Sequence, residues 1–171
     1  RHFVLGLGST YALQNTYDVG AMEEVSEYLA ESASEVALAV EFEQPGVLSI
    51  GSLISFRKAT QPEHKRSLGV VKKIAILKGS KKLQFEIELL TAQAHTVMFS
   101  QLEKRKKTEK QKALIYNVKK PGEEDVSFLI VDSFVLKEYD LARLYLNEKN
   151  FPILLREKRN IGIGYWQFDC R

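Results

Sequence analysis

The sequence predicts an all-β chain folded as two small β-barrel-like modules in tandem, with a short helix near the N-terminus as an option. Three observations carry this expectation. Apolar and polar residues alternate over several short runs, the pattern of strands with one buried face. Turn-forming residues separate those runs at short intervals. A lysine-rich stretch with almost no apolar residue divides the pattern in two. The chain has 171 residues, 44% of them hydrophobic and 27% charged, which suffices for one large core or two small ones.

The N-terminal region is the least regular. Gly6-Leu7-Gly8-Ser9-Thr10 superficially resembles a phosphate loop but lacks the third glycine of a dinucleotide fingerprint and the Gly-Lys-Ser/Thr ending of a P-loop, so it reads as a turn. Met22, Val25 and Leu29 have helical spacing, with Asp18 placed to cap the helix. The same residues equally well precede a strand starting near Tyr28.

From Glu35 the alternation is plain. Val36, Leu38, Val40 and Phe42 share one face, with Glu35, Glu41 and Glu43 on the other. Leu48–Arg57 and Leu68–Leu77 are rich in Ile, Val and Leu. Val70–Leu77 and Leu83–Leu90 read as a hairpin around Gly79-Ser80, with Leu83, Phe85, Ile87 and Leu89 on one face. His95–Ser100 is expected as a further strand of this first module, residues 1–103. Residues 104–112 then read as a basic linker.

A second module is expected over residues 113–171. Its strands are Ala113–Val118, Ser127–Val135, Ala142–Leu146 and Gly164–Arg171, with Pro121-Gly122 as a turn. In the last strand Trp166, Phe168 and Cys170 fall on one face. Trp166→Ala should cost about 3–5 kcal/mol if the ring is buried.

Charge and chemistry bound the function. The net charge is +3, unevenly placed. Glu23, Glu24, Glu27, Glu31, Glu35, Glu41 and Glu43 fall in a stretch with no Lys or Arg, whereas bases dominate Gln101–Lys120. Lys104, Arg105, Lys106 and Lys107 are the residues for phosphate contacts if the chain binds nucleic acid. No aromatic stacking platforms are interleaved with them, so a solvated linker is the simpler reading. His2, His64 and His95 are far apart and have no Asp, Glu or Cys at ligand spacing, so no metal site is expected. Cys170, the single cysteine, reads as a small buried hydrophobe rather than a nucleophile. No polar constellation suggests catalysis, and no cofactor is expected. No apolar run approaches the length of a membrane span, and a chain starting at Arg1 rather than Met reads as a fragment.

Seven stretches, taken in order, resemble the PilZ family. Glu31–Phe42 (ESASEVALAVEF) is similar to the strand that follows the family's Asp/Asn-x-Ser-x-x-Gly motif. Leu48–Arg57 (LSIGSLISFR), Ser67–Ile74 (SLGVVKKI) and Leu83–Leu90 (LQFEIELL) are similar to the strands that complete its barrel. The remainder, through ALIYNV, SFLIVDSFVL and IGIGYWQFDC, resembles the second β module of a divergent branch. The resemblance implies a six-stranded barrel and a bacterial cytoplasmic signalling role. It also implies cyclic di-GMP as ligand, held by an Arg-x-x-x-Arg arm and the Ser-containing motif. Aligned on Ser32, the motif's first position is Ala30 and its glycine position is Glu35, so only Ser32 survives. Arg1 is the one candidate for the arm. The ligand motif is thus degraded, and the chain is expected to be a non-catalytic interaction module whose partner is another protein. A cyclic di-GMP receptor completed by residues before Arg1 and a nucleic-acid-binding barrel are the alternatives.

Overall fold

A computed structural model describes residues 1–15, 25–43, 46–103, 106–107, 109–119, 121–133 and 135–170. The chain forms two compact units, Arg1–Gln93 and Ala94–Arg171. Among the described residues each unit holds one antiparallel seven-stranded sheet that curls on itself.

In the first unit the chain runs β1 (His2–Leu5), α1 (Leu7–Gln14), β2 (Tyr28–Leu29), β3 (Glu31–Ser32), β4 (Ala37–Val40), β5 (Leu53–Arg57), β6 (Ser67–Ile76) and β7 (Leu83–Thr91). The spatial order is β2-β1-β5-β6-β7-β4-β3. The two ends of this sheet are consecutive in the chain, with only Ala30 between them. The Ala30 N–H donates to the Arg1 carbonyl at 2.8 Å, and the Arg1 amine donates back to the Ala30 carbonyl at 2.9 Å. The barrel is therefore nearly closed, with Tyr28–Ser32 running along its seam.

Phe3 is fully buried at the centre of this barrel, stacked on Tyr28 and edge-on to Phe42 and Phe85. Leu38, Val40, Ile54, Phe56, Val71 and Ile87 complete the core. Burying one such side chain contributes about 1.5–3 kcal/mol. Leu38, Val40, Phe85 and Ile87 are buried as expected, and β7 alternates over Phe85–Ile87, but in β4 Ala37 and Ala39 on the other face are buried too. Val36 and Leu89 instead lie exposed. Leu89 pairs with Gly69 between two register shifts of the β6–β7 ladder, where bulges re-aim side chains.

Two features of this unit differ from the sequence expectation. A short helix exists, but it is Leu7–Gln14, following a turn at Gly6 with φ of 91°. Its buried residues Leu7, Thr10, Tyr11 and Gln14 have helical spacing, yet two are polar, so a hydropathy pattern hides them. Asp18 and Met22 of the expected helix lie outside the described residues, and Leu29 belongs to β2. The first strand, β1, was not anticipated either.

The second unit contains β8 (His95–Glu103), β9 (Lys106–Lys107), β10 (Gln111–Val118), β11 (Val126–Val131), β12 (Leu141–Leu146), β13 (Lys149–Gly162) and β14 (Tyr165–Cys170). Their order is β10-β11-β14-β13-β12-β8-β9, and β8 also pairs with β10, which closes the barrel. Leu129, Val131, Ala142, Leu144, Leu155 and Phe168 fill it. Trp166 packs against that core while only half-buried.

The expected module boundary at residue 103 shifts accordingly. His95–Ser100 lies in β8, which pairs with β10 and β12 of the second unit rather than with the first sheet. The expected linker at 104–112 falls within a unit: Lys106–Lys107 folds back on Leu102–Glu103, and β10 starts at Gln111. A run of lysines can form an edge strand because strand pairing uses main-chain groups, and charge suits an exposed edge.

Candidate functional site

Among the described residues of the first unit, the most concentrated polar chemistry surrounds Glu27, just before β2. Arg57 ends β5, and Arg66 lies one residue before β6. The barrel brings these two cations together from neighbouring strands, and Glu27 lies between them. Arg57 Nη2 is 2.6 Å from Glu27 Oε1, and Arg66 Nη1 is 2.8 Å from Glu27 Oε2. Arg57 Nε also donates to both carboxylate oxygens at 3.1 Å. Such forked contacts are the strong form of charge-assisted hydrogen bonding.

Arg66 is the most deeply placed charge. Its Nε donates to Ser55 Oγ at 2.8 Å, its Nη2 to the Ser55 carbonyl at 3.0 Å, and its Nη1 also to the Glu63 carbonyl at 3.2 Å. Thr10 of α1 donates its hydroxyl to Ser55 Oγ at 2.9 Å, which ties the helix to the same network. Arg57 Nη1 donates to the Gln61 carbonyl at 2.6 Å.

The electrostatics follow from this geometry. Burial raises the Glu27 carboxyl, but hydrogen bonds from Arg57 and Arg66 and their positive charges outweigh it, so Glu27 is held below its usual range. Burial lowers the Arg66 guanidinium, opposed by its hydrogen bond to Glu27. The same carboxylate raises Arg57. All three groups are charged at neutral pH, and Glu27 takes up hydrogen-bonding capacity of both guanidinium groups. Sequence reasoning did not find this cluster, because its members lie far apart in the chain. A faint signal existed: an acidic stretch without a base offers carboxylates to cations brought near by the fold.

The residues singled out from sequence sit differently. Arg1 pairs through its main chain with Ala30 along the barrel seam. Ser32 lies two residues further on, in β3, and its hydroxyl donates to the Ser34 carbonyl at 2.7 Å. Ala30 is buried and Glu35 is exposed. Lys104 and Arg105 lie outside the described residues, and Lys106 and Lys107 form β9. His2, His64 and His95 fall on β1, a loop and β8. Cys170 is buried in the second barrel, its thiol donating to the Ser127 carbonyl at 3.3 Å. Burial and Asp169 push that thiol up to about 12. The buried Tyr116 hydroxyl donates to Gln167 Oε1, and burial pushes it up to about 12 as well.

One further surface feature belongs to the first unit. A groove of about 410 Å³ runs along the outer side of the β6–β7 hairpin, lined by Ile50, Lys73, Ile74, Ala75, Gln84 and Glu86. Ile50 in this lining is 57% exposed, and Ile76 at the end of β6 is 75% exposed. No helix among the described residues is long and apolar enough to cross a membrane.

Comparison of the chain with protein-family models, curated proteins and solved structures found no match.

Proposed function

We propose that the chain is a non-catalytic interaction module, a tandem-barrel scaffold that recognises another protein through its surface. The observation that carries this reading is the occupation of Arg57 and Arg66 by Glu27. Paired guanidinium groups are the natural receptors for phosphate or carboxylate ligands. Here their countercharge comes from the chain itself, so recognition falls to the exterior.

The resemblance to PilZ domains supports reading this module as part of bacterial cytoplasmic signalling, without retained ligand binding. The remnant of the motif supports the loss of ligand binding. Ala30 has no polar side-chain atom, Glu35 adds negative charge, and the Ser32 hydroxyl is engaged by Ser34. A dianionic nucleotide would meet a carboxylate at the position where the family has a glycine.

Calorimetric titration of cyclic di-GMP into the protein tests this reading. No saturable heat is expected. Saturable binding would replace the interaction module with a nucleotide receptor.

A further inference from the structure

The β5–β6 ladder ends early, for a local reason. Ser52 donates its N–H to the Ser49 carbonyl at 3.0 Å, and Gly51 has φ of 92°, a conformation that favours glycine. This turn carries the chain away from β6. The last contacts across the ladder are Gly51 N–H to the Val71 carbonyl at 2.7 Å and Val71 N–H to the Ser52 carbonyl at 3.0 Å. β6 nevertheless continues to Ile76, paired only with β7.

Backbone direction along the rest of β6 follows from the hairpin. The Leu77 N–H donates to the Lys82 carbonyl at 3.1 Å, so Leu77 faces β7. Main-chain groups alternate sides along an antiparallel strand. Ala75 and Lys73 therefore also turn toward β7, and the N–H and C=O groups of Ile74 and Ile76 point the other way. Among the described residues no main-chain group pairs with them there. The groove lined by Ile50, Lys73, Ile74, Ala75, Gln84 and Glu86 spans the face of both hairpin strands and reaches Ile50 past β6.

We infer that the Lys72–Ile76 edge of β6 is a strand-addition site for an extended partner peptide that alternates apolar and acidic residues. This rests on the reading of the chain as a protein-interaction module and names its surface. Outward main-chain groups two residues apart are what an added strand pairs with, and alternate pockets select its side chains. Exposed Ile50 and Ile76 offer apolar contact.

Charge selects the acidic partner. Lys72 and Lys73 are exposed and reach Glu88 and Glu86 only at 3.4 and 3.8 Å. Lys78 and Lys81 at the hairpin tip have no salt bridge among the described residues. One register of pairing with a second copy is disfavoured on the same edge. Antiparallel self-pairing centred on Ala75 would set Lys72 opposite Lys78, and like charges directly opposite destabilise a strand pair.

The test titrates a capped peptide alternating valine and glutamate into the isotope-labelled protein, followed by amide chemical shifts. Saturable binding centred on the Ile74 and Ile76 amides is expected, with a valine–lysine peptide binding at least about tenfold more weakly. Ile76→Pro removes an outward N–H and leaves the β6–β7 ladder its donors, so it should weaken binding about tenfold while the fold persists. Ile50→Glu should weaken it as well. The inference is overturned by any of three results: no binding, binding that leaves those two amides unshifted, or unchanged affinity in Ile76→Pro. Concentration-dependent dimerisation through this edge would equally overturn it. If the peptide fails while cyclic di-GMP gives no heat, only the strand-addition site is lost. Saturable cyclic di-GMP heat removes the interaction-module reading itself.

Discussion

Glu27 Oε2 lies 2.8 Å from Arg66 Nη1, and the Arg66 side chain is 0% exposed against 8% for Glu27. Removing one partner of such a pair leaves a buried charge without compensation, which is the expensive way to break an ion pair. Glu27→Ala should therefore cost about 3–5 kcal/mol in chemical denaturation at neutral pH. A loss below about 1 kcal/mol would place the pair's energy at the level of surface ion pairs.

The same carboxylate sets an acid limit. Its folded pKa is depressed below the usual 4.5, so its contribution is fully present above that value. The contribution is lost as pH falls from there through the folded pKa. Stability measured from pH 7 down to pH 3 should fall more steeply for the native protein than for Glu27→Gln. Parallel curves would show that Glu27 does not govern acid sensitivity.

Alkaline pH acts through the second barrel with the opposite sign. Cys170 and Tyr116 are raised to about 12 from 9.0 and 10.0, so the fold favours their neutral forms. Their contribution is intact below pH 9 and declines as the unfolded chain ionises above it. The Cys170 thiol should react with an aromatic disulfide reagent only on unfolding, with the reaction rate tracking denaturant. Prompt reaction in the native state would contradict its burial.

Gly69 has a steric role. A Cβ there would collide with the Ile87 side chain and lie 2.7 Å from the Glu88 carbonyl oxygen. The side chain can turn, but the carbonyl belongs to the β7 backbone. Gly69→Ala should destabilise the protein by about 1–3 kcal/mol, read from the shift in denaturation midpoint. No shift would mean that the bulged ladder relaxes freely.

Trp166 is half-buried, with Lys158 Nζ 5.6 Å from its ring centroid. The cost of Trp166→Ala should therefore fall to about 2 kcal/mol, below the range for a fully buried ring. Unfolding followed by circular dichroism measures it, and a loss above about 4 kcal/mol would assign the ring a core role.

The strands most legible in sequence were those whose two faces differ cleanly. Phe85 and Ile87 point to the core as alternation requires, and the hairpin around Gly79 is placed where the turn residues put it. β13 was not legible. It contains Pro152 and the polar run Arg156–Asn160, both of which argue against a strand. The structure accommodates each locally. Pro152 sits where β13 has only β12 as a partner, so a missing N–H is tolerated. The polar run coincides with register shifts against β14, where Glu157 adopts φ of 50°. The Glu27 cluster was hidden for a different reason. Its contacts span 30 and 39 residues, and no local pattern encodes a pairing that the barrel's curvature creates.

The seam at Ala30 also bears on how fast the first barrel can form. β1 sits between two strands that follow it much later in the chain, with His2 opposite both Leu29 and Arg57. Neither pairing can form until a long intervening loop has been closed, and that entropy is lost before any contact offsets it. Local hairpins such as β6–β7 carry no such delay. The first barrel should thus assemble late around its earliest residues, with β1 setting the refolding rate.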